Sequence, residues 1–176
     1  MPDTKTIADR PPVGSKRFII QLLATSSAHE ISAWPGNEAA LGAAIHGIPT
    51  VDADGEQFLF HMSPQRYWLS RTNSATAHEH LNSIDAENLA ITDLSHALSV
   101  IRLSGTHVTE VLAKGLPIDL HPREFPAGSV ATSAIEGIVV TVCNTGHSFD
   151  VYCRRSYTES LSHWLNDAAQ EIFATS

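Results

Sequence analysis

Residues 89–123 read LAITDLSHALSVIRLSGTHVTEVLAKGLPIDLHPR, and this stretch decides the predicted fold. Two apolar runs are separated by the polar tetrapeptide Asp-Leu-Ser-His at residues 93–96. Gly105 then precedes a short helical pattern that ends at Gly115, where Leu-Pro follows directly and a helix cannot continue. The stretch therefore predicts a strand, a turn and a helix with its stop signal, and its first message is architectural.

The same pattern occurs earlier in the chain. Residues 31–36 (ISAWPG) precede an alanine-rich helical segment at residues 37–46, which ends at Gly47 before Ile-Pro. In both places a pair of strand-length segments and a capped helix follow. The order β-α-β-β-α thus occurs twice, and this order is the split βαβ unit of ferredoxin-like folds. We predict an α+β fold made of two tandem β-α-β-β-α halves that pack together.

Several further elements are predicted from local patterns. The strands are residues 18–23, 30–34, 57–61, 66–71, 138–143 and 149–154. A turn is predicted at residues 52–55, and a short helix begins at the capping box Thr76-x-x-Glu79. The capping box Ser156-x-x-Glu159 opens the longest helix, on which apolar residues recur at spacings of three and four.

The chain of 176 residues is long enough to bury a core without disulfides or metals. Residues 1–16 carry three prolines among charges and are predicted to form a flexible N-terminal arm, either a plain tail or an arm that embraces a partner. Residues 17–176 are predicted to form one α+β domain. Its two pseudo-repeats are expected at about 17–92 and 93–176.

The charge balance excludes one class of partner. The net charge is −8, from 11 Lys and Arg against 19 Asp and Glu, whereas nucleic-acid binding requires clustered cations. The longest apolar runs are far shorter than the roughly 20 residues of a membrane span. The polar N-terminus lacks the pattern of a signal peptide, and two cysteines fit a reducing compartment. We therefore predict a soluble cytoplasmic protein that binds neither nucleic acid nor membrane.

Sequence motifs of catalysis are missing. The chain contains no G-x-G-x-x-G, no phosphate loop, no G-x-S-x-G and no H-E-x-x-H. Cys143 and Cys153 are ten residues apart on two predicted strands and do not form a C-x-x-C pair, so we predict buried free thiols.

The ten histidines do not form a recognisable metal site. His78 and His80 are two apart in a predicted helix and point to different sides. Asp93 and His96 are three apart across a turn, but a metal there would need two further ligands, and Asp93 is equally explained as a turn-capping carboxylate. We predict no catalytic, cofactor-binding or metal-binding residue in this chain.

Separated segments of the chain resemble one known family. They are residues 34–36 (WPG), 93–105 (DLSHALSVIRLSG), 112–128 (LAKGLPIDLHPREFPAG), 149–157 (FDVYCRRSY) and the following Leu161-x-x-Trp-Leu165. In this order and over nearly the whole chain, they are similar to the gamma subunit of heterotetrameric sarcosine oxidase.

The resemblance implies a small subunit of an alpha-beta-gamma-delta flavoenzyme. In that family the complex oxidatively demethylates sarcosine, and related complexes act on other N-methyl amino acids. FAD, covalently held FMN, NAD and zinc are carried by the other subunits, and tetrahydrofolate accepts the one-carbon unit. The gamma subunit is similar in fold to the N-terminal folate-binding part of the glycine-cleavage aminomethyltransferase and is not known to carry a cofactor. The resemblance therefore implies a structural subunit.

The predicted partner interface includes residues 118–128 (IDLHPREFPAG), because a loop with two prolines cannot build a core. Its side chains His121 and Arg123, together with Arg154 and Arg155, are the predicted contacts. The arginines suit either carboxylates and phosphates or salt bridges to a neighbouring subunit.

Two other functions are compatible with the sequence. A stand-alone folate-binding or one-carbon-transfer protein would use Asp93 to hydrogen bond a pterin, although the additional domains that complete the folate cavity of aminomethyltransferases are missing. A stand-alone regulatory domain that binds a small amino acid rests on fold analogy alone.

Overall fold

The computed structural model describes residues 5–8, 18–23, 27–50, 57–71, 81, 84 and 87–175. The predicted turn at 52–55, the helix expected from Thr76 and most of the predicted N-terminal arm lie outside these residues. Among the described helices, none combines the length and the apolar character needed to cross a membrane.

Ten strands and three helices are described. The strands are β1 (Lys5–Ala8), β2 (Ile19–Leu23), β3 (Ser27–Ala33), β4 (Gln57–Ser63), β5 (Arg66–Arg71), β6 (Leu89–Asp93), β7 (Leu98–Ser104), β8 (Val130–Ile135), β9 (Ile138–Asn144) and β10 (Ser148–Arg154). The helices are α1 (Glu38–Ile45), α2 (Val108–Ala113) and α3 (Thr158–Thr175), with a 3₁₀ turn at Arg155–Tyr157 before α3. They belong to two compact units: Thr25–Leu98, and Met1–Ala24 with Ser99–Ser176.

The smaller unit, Thr25–Leu98, holds a four-stranded sheet in the order β4-β5-β3-β6. All three neighbouring pairs are antiparallel. Helix α1 follows β3, buries Leu41 against the sheet and ends at Gly47, whose φ of +83° confirms the predicted left-handed helix stop. A cluster of buried residues in this unit contains Ile31, Leu41, Leu59, Leu69, Ile84 and Leu89.

The larger unit holds a six-stranded sheet in the order β1-β2-β7-β10-β9-β8. Helices α2 and α3 cover its core face, where Val111, Leu112, Leu161 and Leu165 are fully buried. Strand β2 lies beside β7, with Ile20 opposite Leu103. Near the C-terminal end of α3, the Phe173 ring lies 5.8 Å from the ring of Phe18, the residue before β2.

Both units have the ferredoxin-like strand arrangement, which confirms the predicted α+β class with two halves. In the smaller unit, the strands follow each other in the chain as β3, β4, β5 and β6. In the larger unit, β7, β9 and β10 have the positions that β3, β4 and β5 have in the smaller sheet. The position of β6 is taken by β2. The compact units therefore differ from the predicted pseudo-repeats 17–92 and 93–176. The reason is that β2, which precedes the smaller unit in the chain, pairs with β7 and therefore belongs to the larger unit.

Three local features also differ from the prediction. Strand β8 was not predicted, because VATSAI contains mainly small residues and lacks a clear apolar alternation. Strand β1 pairs with β2 and lies inside the segment predicted to be a flexible arm. Helix α3 begins at Thr158, because the 3₁₀ turn Arg155–Tyr157 occupies the predicted start of the helix.

Candidate functional site

The loop at residues 118–128 is a series of tight turns. The Asp119 carboxylate accepts a hydrogen bond from the backbone N–H of His121 at 2.9 Å, and His121 Nδ1 accepts one from the backbone N–H of Arg123 at 3.3 Å. The carbonyl of His121 accepts hydrogen bonds from the N–H groups of Glu124 and Phe125. These bonds fix the backbone and leave the side chains of His121 and Arg123 exposed.

Two apolar anchors hold this loop on the larger unit. Leu120 and Phe125 are both buried in its core. The Phe125 ring stacks on Phe149 of β10, with ring centroids 6.3 Å apart, and the Asn144 side-chain amide donates to the Phe125 carbonyl at 2.8 Å. The backbone of the loop is thus fixed on the larger unit, as in pre-organised binding surfaces.

An open cleft of about 390 Å³ lies between this loop, the β7–α2 turn and the β9–β10 turn. His107 and His147 are among its lining residues, and no sequence signal had pointed to either. His107 has a left-handed φ of +63°, and its Nδ1 lies 2.9 Å from a carboxylate oxygen of Glu110. Pro122 and Pro126 add apolar surface to a lining that also contains the two histidines. The cleft therefore suits a side chain that is apolar along its length and polar at its end.

The predicted contacts Arg154 and Arg155 lie elsewhere. Both are exposed, at the end of β10 and the start of the 3₁₀ turn. Phe149 of β10 anchors the loop. Arg154 lies five residues further along the same strand, or about 17 Å away. The structure therefore places the arginine pair at one end of β10 and the anchor of the His121–Arg123 loop at the other, so the four residues do not form one cluster.

Asp93 closes the turn between β6 and β7. Its Oδ1 accepts a hydrogen bond from the backbone N–H of Ser95 at 2.8 Å, and hydrogen bonds from Ser95 lower the pKa of the Asp93 carboxyl. The Ser95 hydroxyl oxygen in turn accepts from the N–H of Ala28 in β3 at 3.0 Å. The prediction of a turn-capping carboxylate is confirmed.

The metal-binding alternatives have no structural support within the described residues. No group of three or more His, Cys, Asp or Glu side chains converges in those parts of the chain. His78 and His80 fall outside them. Cys143 and Cys153 are free and buried, as predicted, and burial raises the pKa of both thiols.

Exposed apolar side chains mark other parts of the surface. Among the described residues, the large ones are Trp34, Ile91, Val139 and Tyr157. Trp34 is 59% exposed beside a small cleft that includes Gln65 and Arg66, and Val139 of β9 is 65% exposed. The Trp34-Pro-Gly motif was noticed in the sequence, but Val139 was not, because β9 reads as a uniformly buried apolar run.

Comparison with known proteins identifies the family. A model described as sarcosine oxidase, gamma subunit family matches residues 28–171 of this chain. The chain belongs to this family. The resemblance deduced from the sequence is thereby confirmed, and the matched residues include parts of both compact units.

The relatives match over most of their length. The chain is 32% identical over 172 residues to sarcosine oxidase subunit gamma from Corynebacterium sp. (strain U-96), covering 92% of this chain and 83% of the relative. It is 30% identical over 178 residues to the same subunit from Corynebacterium sp. (strain P-1), covering 94% and 88%. A chain of the solved heterotetrameric sarcosine oxidase from Corynebacterium sp. U-96, in complex with pyrrole 2-carboxylate, superposes with a TM-score of 0.76 at 30% identity, covering 92% of this chain and 88% of that one.

Proposed function

We propose that this chain is the non-catalytic, structural gamma subunit of a heterotetrameric flavin-dependent sarcosine oxidase. The complex would oxidatively demethylate sarcosine or a related N-methyl amino acid, with tetrahydrofolate as the one-carbon acceptor. The observation that supports this proposal is the match to a chain of a heterotetrameric sarcosine oxidase, with a TM-score of 0.76 over 92% of this chain.

Partners and cofactors follow from the same proposal. The alpha, beta and delta subunits are the partners, and FAD, FMN, NAD and zinc belong to them. The two buried free thiols suit a reducing compartment, so we place the complex in the cytoplasm.

The surface side chains His121, Arg123, Arg154 and Arg155 are proposed as contacts to these subunits. All four are exposed, and the first two stand on a loop whose backbone is fixed by hydrogen bonds. A fixed loop loses little conformational entropy on binding, which favours a role at an interface. The N-terminal arm, residues 1–16, is proposed as a further contact segment.

Co-expression with candidate alpha, beta and delta subunits tests the proposal. We expect this chain to co-purify with them in a fixed ratio, as a flavin-containing complex with sarcosine oxidase activity. Static light scattering of the purified complex gives its mass and hence the ratio. A monodisperse free chain that does not associate with those subunits would contradict the proposal.

The folate alternative has its own measurement. We expect calorimetric titration of the isolated chain with tetrahydrofolate to give no binding heat, since Asp93 is engaged in the turn with Ser95. Binding that is lost in Asp93→Ala would favour the stand-alone folate protein instead.

A further inference from the structure

Within the described part of the chain, β8 forms an unpaired outer edge of the six-stranded sheet. No described strand pairs with β8 on the side away from β9. The strand reads VATSAI, without a charge or a proline, and its register against β9 runs unbroken from Val130–Cys143 to Ile135–Ile138. Edge strands are usually protected against pairing by lysine, proline, a bulge or short length, and β8 has six residues and none of these devices. The edge is therefore suited to the addition of a strand.

The ladder shows which backbone groups this edge offers. The N–H of Asn144 donates to the carbonyl of Ser129 at 2.9 Å, which marks that position as a hydrogen-bonded pair. Such pairs alternate along an antiparallel ladder, so the N–H and C=O groups of Val130, Thr132 and Ala134 point away from β9. These three residues present donors and acceptors to a neighbouring strand.

The side chains of the same residues form an uncharged strip next to the edge. Ala131 packs on the core and Ile135 is buried in it, so Val130, Thr132 and Ala134 point to the opposite face of the sheet. Val139 lies opposite Ala134 in the register and shares this face, where it is 65% exposed. We call Val130, Thr132, Ala134 and Val139 the β8 surface.

Charge on the helix-covered face of the sheet, at the hairpin end of β8, indicates the kind of segment that the edge accepts. Successive side chains of an added strand point to opposite faces of the sheet, so some of them face this side. An open cleft of about 430 Å³ at the hairpin end of β8 is lined by Lys114, Glu136, Asp167 and Glu171, together with Trp164 and Ala168. Lys114 pairs with Glu171, so Glu136 and Asp167 make this cleft acidic. A basic side chain is favoured there. A second copy of this chain is disfavoured, because each copy carries a net charge of −8.

We propose that the β8 surface docks an extended segment of another subunit, which adds a strand to the sheet at β8 and places a basic side chain in the acidic cleft. This inference rests on the proposed function, in which the chain assembles with other subunits. Main-chain hydrogen bonds to the edge supply affinity, and the strip around Val139 supplies the apolar contact.

Competition for limiting partners tests the docking. A variant and the wild-type chain, distinguished by epitope tags, are co-expressed with tagged alpha subunit and the other subunits, and their ratio is measured in the purified complex. Thr132→Pro removes an outward N–H and leaves the ladder to β9 intact, because that N–H does not face β9. Thr132→Ala is its matched control, since both substitutions remove the same hydroxyl contact to Thr141. We expect Thr132→Pro to be at least about tenfold under-represented, and Thr132→Ala to match wild type.

A second pair of variants does not depend on backbone geometry. Val139→Lys places a charge on the exposed strip, and Val139→Thr keeps a β-branched side chain of similar size. We expect Val139→Lys to be under-represented and Val139→Thr to enter the complex normally. Normal entry of Val139→Lys, with or without a defect in Thr132→Pro, overturns the inference.

The outcomes distinguish this inference from the proposed function. If wild-type chain is missing from the purified complex, the proposed function itself fails, and the inference fails with it. If wild-type chain assembles and all four variants assemble equally well, only the docking surface is wrong. If the free chain forms a dimer and Thr132→Pro makes it monomeric, the β8 surface serves self-association. That result would overturn the proposal that another subunit docks there.

Discussion

Arg102 and Asp150 form an ion pair between β7 and β10 in the larger unit. Arg102 Nε and Nη2 each lie 2.7 Å from a different oxygen of the fully buried Asp150 carboxylate. Burial raises the pKa of the Asp150 carboxyl, and the Arg102 guanidinium opposes this shift. We expect Arg102→Met to leave the buried charge without its partner and to lower the free energy of unfolding at pH 7 by about 3 kcal/mol. That is the low end for a broken buried pair, because 26% of the Arg102 side chain is exposed.

The pH dependence of this variant gives the sign of the effect. A carboxyl whose folded-state pKa is raised contributes stability below its unfolded pKa and loses it as pH rises through the folded pKa. Without Arg102 the pKa of Asp150 rises further, so the deficit of Arg102→Met should shrink as pH falls from 7 towards 4. Urea denaturation across this range measures it. The double variant Arg102→Met/Asp150→Asn is the control, and a deficit of the single variant that grows on acidification would contradict the account.

Cys143 and Cys153 offer a second test at the level of single residues. Both thiols are buried, and burial raises the pKa of each, so little of the reactive thiolate forms near neutral pH. We expect both to react with Ellman's reagent at pH 8 at least about tenfold more slowly in the native chain than in the denatured chain, since one unit of pKa changes the thiolate fraction tenfold. Absorbance at both conditions measures the rates. Rapid native reaction of either thiol would contradict the burial of these strands.

The contact between the end of α2 and α3 depends on Gly115. A Cβ at this position would lie 2.5 Å from Cζ2 of Trp164 and 3.1 Å from Cγ2 of Ile135. We expect Gly115→Ala to lower the free energy of unfolding by about 1–3 kcal/mol, the usual cost of overpacking a core. Gly42→Ala in the interior of α1 is the matched control, because nothing lies within 4 Å of its added Cβ. Chemical denaturation should show that variant to be unchanged or up to about 1 kcal/mol more stable.

Local patterns predicted the elements where one face is clearly apolar. The runs before and after Asp93 became β6 and β7, and the stop signal at Gly47 ended α1. The role of Gly115 was different from the expected one, because its φ is not positive and its small size serves the packing of Trp164 instead. Strand β8 escaped prediction because its small residues carry almost no periodic signal. The open edge at Thr132 follows from register, which a local pattern does not encode.

At the scale of the molecule, the repeat of β-α-β-β-α correctly predicted two ferredoxin-like halves. It could not assign β2, because a strand's partner depends on contacts distant in sequence, and β2 pairs with β7 about 80 residues later. The candidate site shows the same limit. The exposure of His121 and Arg123 follows from a proline-containing loop, whereas the cleft lined by His107 and His147 exists only once three turns meet.

Because β2 belongs to the larger unit although it precedes the smaller one in the chain, we expect the chain to tolerate circular permutation. Phe18 and Phe173 are in ring contact at 5.8 Å, so the end of α3 lies next to the start of β2. A permutant that begins at Thr25 and carries Met1–Ala24 after Ser176 would make the strands of each unit contiguous. Its glycine-serine linker must be long enough to run back along β2, because Lys5 pairs with Leu22 at the far end of that strand. We expect it to keep the near-UV circular dichroism and the cooperative unfolding of the natural chain, because no described hydrogen-bond ladder is cut. The control permutant opens the chain between residues 140 and 141 inside β9 and should not fold, since both neighbouring ladders are interrupted. If the first permutant unfolds like the control, β2 must depend on its covalent link to β3, and its pairing with β7 alone does not hold it in the larger unit.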